Sequence, residues 1–178
     1  MKKIYLFLLL GLVSIIATSI VIVRLRSQQS SGHDIHYHAG IKIYVDGKPQ
    51  DFSSIRYMSI TPCGEEKHDS TPEEKQLQKA HFHEGIDDVV HVHAEGATWG
   101  DLIKNIKLNL DSSKEVAGYS NENTKIEDIL NTPIVADESI VIVVGDQSSA
   151  SAYLKDKVTI DHIKEVEKMS ELCGDSSS

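Results

Sequence analysis

From His36 to Val45 polar and apolar positions alternate without a break. Tyr37, Ala39, Ile41, Ile43 and Val45 fall on one side, and His36, His38, Gly40, Lys42 and Tyr44 on the other. Successive side chains of a strand point to opposite faces, so this pattern predicts a strand with one buried side. Asp46-Gly47-Lys48 then predicts a hairpin turn, with a less regular return through Phe52. The same parity recurs in the stretch HFHEGIDDVVHVH, His81 to His93. Its arms, 79–83 and 89–94, read as a hairpin across a five-residue loop, Glu84-Gly85-Ile86-Asp87-Asp88. Phe82, Val90, Val92 and Ala94 occupy even positions, and His81, His83, His91 and His93 odd ones. A register that gathers the apolar residues on one face therefore gathers all four histidines on the other. If both segments share a sheet with a common core side, His36 and His38 project from the same surface.

The remaining periodicities predict elements around this sheet. Thr71-Pro72-Glu73-Glu74 combines a capping box with Pro at the first helical position, giving a short surface helix over 72–79. Thr98 caps a second helix, in which Trp99, Leu102, Ile103 and Ile106 form an apolar stripe. Such a stripe packs on a sheet, so Trp99 is a core residue and not a ligand. Short strands are expected near Tyr57–Ile60, Lys107–Leu110 and Lys114–Tyr119, and a helical turn over Thr124–Leu130. Ser139–Val144 is a β-branched run that reads as a central strand, and Ser148–Ala152 as a small-residue link. A last amphipathic helix is expected over 159–173, with Ile160, Ile163, Val166 and Met169 on one side and His162 solvated. The fold class is α+β: an N-terminal transmembrane helix, then one domain of mixed or antiparallel sheet with a few packed helices.

Hydropathy sets the N-terminus apart. Ile4 to Val23 is an apolar run of about the ~20 residues needed to cross a bilayer, flanked by Lys2, Lys3, Arg24 and Arg26. Its length exceeds the core of a cleaved signal, and Ala17-Thr18-Ser19 matches a cleavage site poorly, so an uncleaved anchor is expected. The chain divides into an anchor (1–26), a polar linker (27–35), a His-rich domain (36–174) and a disordered serine-rich tail (175–178). The terminal positive charge favours an N-inside anchor, which puts the domain outside the cell membrane.

Charge narrows the partners. Four of the 18 Lys and Arg flank the apolar run, leaving 14 against 27 Asp and Glu, a net −13 from Ser27 onward. Such a domain repels phosphate backbones and favours a bound cation, so no nucleic acid partner is expected. In an oxidising compartment the only two cysteines, Cys63 and Cys173, are read first as a disulfide. Cys63 as a thiolate ligand, five residues before His68, is the next reading, and an inert pair the last.

Three His-x-His pairs among nine histidines supply the candidate chemistry. On a strand each pair presents two imidazoles side by side, and cross-strand neighbours lie about 4.5–5.5 Å apart at Cβ. Several such rings can therefore reach one ion at about 2.0–2.1 Å. The candidate ligands are His36, His38, His81, His83, His91 and His93, with Cys63, His68 and Glu84 behind them. Glu84, Asp87 and Asp88 can supply oxygen ligands or orient imidazoles, or simply solvate a loop. Imidazole ligands suit Zn²⁺ or Cu²⁺. The first function expected is an anchored, extracytoplasmic transition-metal binding protein. A zinc-dependent hydrolase with Glu84 as general base is the alternative, although no HExxH or other motif with known mechanics occurs. A structural or adhesive surface module is the third reading.

Two resemblances add to these readings. Val89 to Gly145, from V-x-V-x-A-x-G-A-T-W-G-D-L to V-A-D-E-S-I-V-I-V, resembles a β-grasp domain, which implies a mixed sheet crossed by one helix and no active-site residues. The set H-x-H at 36–38, C-x4-H at 63–68 and H-x-H-E…V-V-H-V-H-A at 81–94 is similar to membrane-anchored bacterial proteins with repeated H-x-H motifs. That resemblance implies the anchored architecture and a bound metal, and no particular activity.

Overall fold

The computed structural model describes residues 35–59, 71–120 and 124–169. The expected anchor, the linker up to residue 34, Cys63, His68, Cys173 and the serine-rich tail lie outside these residues, as does the expected end of the last helix beyond Met169. No helix among the described residues is long and apolar enough to cross a membrane.

One mixed sheet organises the domain. Its strands are β1 (Tyr37–Val45), β2 (Lys48–Pro49), β3 (His81–His83), β4 (Ile86–Val92), β5 (Val116–Tyr119), β6 (Lys125–Ile126) and β7 (Ser139–Val144). They run in the order β3-β4-β1-β7-β5-β6, with β2 paired to β1 alone. β1 lies antiparallel to β4 and parallel to β7. Among the described residues four helices accompany the sheet: α1 (Pro72–Lys79), α2 (Trp99–Asn105), α3 (Ala150–Tyr153) and α4 (Ile160–Met169).

The alternation in β1 does separate two faces, but both are covered. On the first, Ala39, Ile41, Ile43, Phe82, Val90 and Val92 pack with Ile140 and Ile142 against Trp99, Leu102, Ile103 and Ile106. On the second, Tyr44, Val141 and Val143 meet Ala150 of α3, while Val89 packs with Val158, Ile163 and Val166 of the α4 region. The expectation of a half-buried β1 is therefore corrected. Gly40 is the reason Val158 can approach, since a Cβ there would lie 2.6 Å from the Val158 Cβ.

Both expected capping boxes form, Thr71 with Glu74 on α1 and Thr98 with Asp101 on α2. Ser139–Val144 is a fully buried central strand, as its β-branched run predicts. Other expectations fail locally. Residues 107–110 form no strand, and Ile55–Tyr57 is a 3₁₀ turn. The segment 124–130 opens with β6 before a 3₁₀ turn at Ile129–Asn131. The small residues at 148–152 begin α3. His162 is not simply solvated: its Nε2 lies 3.1 Å from Asp88 Oδ1, tying α4 to β4.

The central hairpin is tighter than expected. Its turn is two residues, Glu84 and Gly85, between paired His83 and Ile86. Both have positive φ, 57° and 79°, the requirement of a type I′ turn. The pairing then shifts, so that His81 faces His91. Ile86, Asp87 and Asp88, expected as loop, belong to β4.

Candidate metal centre

Pairing places the histidines. His38 of β1 faces His91 of β4, and His91 faces His81 of β3, so three imidazoles stand in one row across three adjacent strands. His36 and His93 lie just beyond the ends of β1 and β4, two residues from His38 and His91, and His83 lies two residues along β3. Each steps by the strand period of two, so all six odd-even choices resolve to the same side. Opposite them, Phe82, Val90, Val92 and Ala39 enter the apolar core.

The six rings form a closed cycle. Centroids are 4.8 Å apart for His36–His38, 4.2 Å for His38–His91 and 4.7 Å for His91–His83. The cycle returns through His83–His81 at 4.6 Å, His81–His93 at 5.4 Å and His93–His36 at 4.7 Å. Two contacts are between ring nitrogens, His38 Nε2 to His91 Nδ1 at 3.1 Å and His81 Nε2 to His83 Nε2 at 2.8 Å. His36, His38 and His91 can each present a nitrogen within 4.8 Å of the other two. The sequence-predicted set of six is thus brought together, and the tightest three-way convergence is at the first pair and His91.

Burial is graded. His38, His81, His83 and His91 are 2, 3, 8 and 1% exposed, His93 is half-buried and His36 is exposed at the edge. Loss of hydration disfavours the imidazolium form, and for the five rings other than His36 neighbouring imidazoles add further repulsion. Burial, then His36, pushes His38 down to about 4, and the same two causes bring His93 to about 4. Burial and His83 push His81 to about 3. Burial also lowers His36, His83 and His91. At neutral pH these rings are uncharged, the form in which imidazole ligates a metal.

The surroundings hold some rings in a definite tautomer. His81 Nδ1 donates to the Leu77 carbonyl at 2.7 Å, which leaves its Nε2 as a lone pair. Leu77 is fixed in turn because Asn105 of α2 donates to the Gln76 and Ala80 carbonyls at 2.9 and 2.7 Å. Lys79 and Gln76 also reach Asp101, and the His93 amide donates to the Gln78 carbonyl. α1 is therefore not a bare connector; its last turn braces β3. His38 Nδ1 is a buried nitrogen with no hydrogen-bond partner among the described residues. An orphaned buried polar atom costs about 1–3 kcal/mol, and an ion bound there removes that cost. The donor set, all neutral imidazole, fits Zn²⁺ or Cu²⁺.

The acidic residues of the hairpin do different work from that expected. The Asp87 carboxylate accepts from the Phe52 amide, and Asp88 bridges Lys42 and His162. Neither carboxylate is seen to orient a ring of the cluster. Glu84 is an exposed turn residue whose charge acts on His83. Sequence reasoning missed Asn105 and Leu77, which carry no chemical signature, and Glu167 of α4, whose charge acts on His36 and His38. No protein-family model, curated protein or solved structure matches the chain.

Proposed function

We propose that the chain is a transition-metal binding protein that takes up Zn²⁺ or Cu²⁺ through His36, His38 and His91, with its domain held outside the cell on an N-terminal membrane anchor. The metal reading rests on the convergence of those three rings, one of which, His38, also keeps an orphaned Nδ1. The exposed His36 gives the ion a route from solvent to the buried pair, which favours uptake and holding over a sealed structural ion. The anchor is supported by the apolar run Ile4–Val23 between basic flanks.

The test of metal binding is elemental analysis of the full chain, purified without an affinity His tag and equilibrated with Zn²⁺ or Cu²⁺. The wild type is expected to retain bound ion, and the His38→Ala/His91→Ala variant to retain less. Equal retention by the two, or none by the wild type, rejects the reading. Alkaline extraction of membranes tests the anchor: the full chain should stay with the lipid, and its release rejects the anchor.

A further inference from the structure

His81 and His83 turn their Nε2 atoms toward each other at 2.8 Å. The Nδ1–H of His81 is committed to the Leu77 carbonyl, so its Nε2 is a lone pair. His83 has a backbone bond at Ser59 that favours its protonated ring nitrogen. The His81 lone pair therefore points at the His83 nitrogen, and a cation beside the two can take both. Ring nitrogens on one four-coordinate ion at about 2.0–2.1 Å lie about 2.9 Å apart at a right angle and about 3.3–3.4 Å apart in a tetrahedron, so this pair has only a little to open to share one.

One ion cannot use the whole cycle, because such an ion takes about four ligands and six rings are present. The cycle divides naturally. His36, His38 and His91 form one half. His81 and His83 form the other, with His93 beside His81 at 5.4 Å between centroids. A carboxylate acts on each half, Glu167 on His36 and His38 and Glu84 on His83. That offsets some of the charge a second cation brings.

We infer that the cluster holds two transition-metal ions in adjacent subsites, the second at His81 and His83. The inference rests on the proposed metal binding and adds a second site to it. His91 and His83 touch at 4.7 Å between centroids, so the two ions are close enough to sense each other.

Titrating the metal-free full chain with Co²⁺, followed by absorption and elemental analysis, counts the sites. Two equivalents are expected for the wild type, and one each for His38→Gln/His91→Gln and His81→Gln/His83→Gln. One equivalent in the wild type overturns the second subsite and leaves the proposed function standing. None overturns both. Two equivalents retained by His81→Gln/His83→Gln also overturn the second subsite. Electron paramagnetic resonance of the wild type with Cu²⁺ needs no variant to fold. The first equivalent should give an isolated-ion spectrum, and the second should broaden or quench it through coupling. A second equivalent that adds an unperturbed spectrum overturns the shared cluster.

Discussion

His38 sits almost wholly out of water with one nitrogen bonded to His91 and the other without a partner among the described residues. A leucine there would remove the orphan and take a partner from His91 Nδ1, so the two effects, each about 1–3 kcal/mol, oppose. We expect metal-free His38→Leu to unfold in urea within about 1 kcal/mol of the wild type. The ion-dependent gain, about 2.7 kcal/mol per site at roughly one hundred times Kd, should fall in the variant. Urea titrations with and without Zn²⁺ measure both. A variant that loses stability without metal but keeps the full ion-dependent gain would show that His38 only fills space.

Among the elements, the parity of β1 and β4 was legible because a buried face leaves no freedom in the period of two. Phe82, Val90 and Val92 had to go inward, and His81, His91 and His93 followed to the other side. Turn length was not legible. Glu84 is a poor residue for positive φ, and Asp87-Asp88 looks like a solvated loop. Both aspartates are kept in β4 by partners remote in sequence, Phe52, Lys42 and His162. The cover on the second face was hidden for a similar reason, since Gly40 signals nothing until Val158 is seen against it. Gly40→Ala forces the Val158 segment away from β1 and is expected to cost about 1–3 kcal/mol. It should also loosen the neighbouring His38, visible as weaker Zn²⁺ binding in calorimetry. Unchanged stability would mean that Val158 yields freely.

At the scale of the molecule, the histidine cluster links folding to pH. His38, His81 and His93 titrate near 4, 3 and 4 when folded and near 6.5 when unfolded. Between these values the unfolded chain binds more protons, so stability rises with pH there. Their contribution is complete above pH 6.5, falls as pH drops below it, and is fully lost once the folded rings are protonated near pH 3–4. Urea midpoints of the metal-free chain should decline from pH 7.5 to pH 4.5, and a flat profile would contradict this burial. The excess of acidic residues points to a cation but does not say where it sits. The candidate place was legible in the parity of the histidines, and the register of three strands brings them together.

The row His38–His91–His81 joins chain segments some forty to fifty residues apart, and β1 is flanked on its other side by a strand about a hundred residues downstream. Such distant pairing closes large loops and is slow. A cation held by His36, His38 and His91 has little to grip before β1 and β4 have met. Its effect therefore belongs to the escape from the finished state: added Zn²⁺ should lengthen the lifetime of the folded chain while leaving its rate of formation nearly untouched.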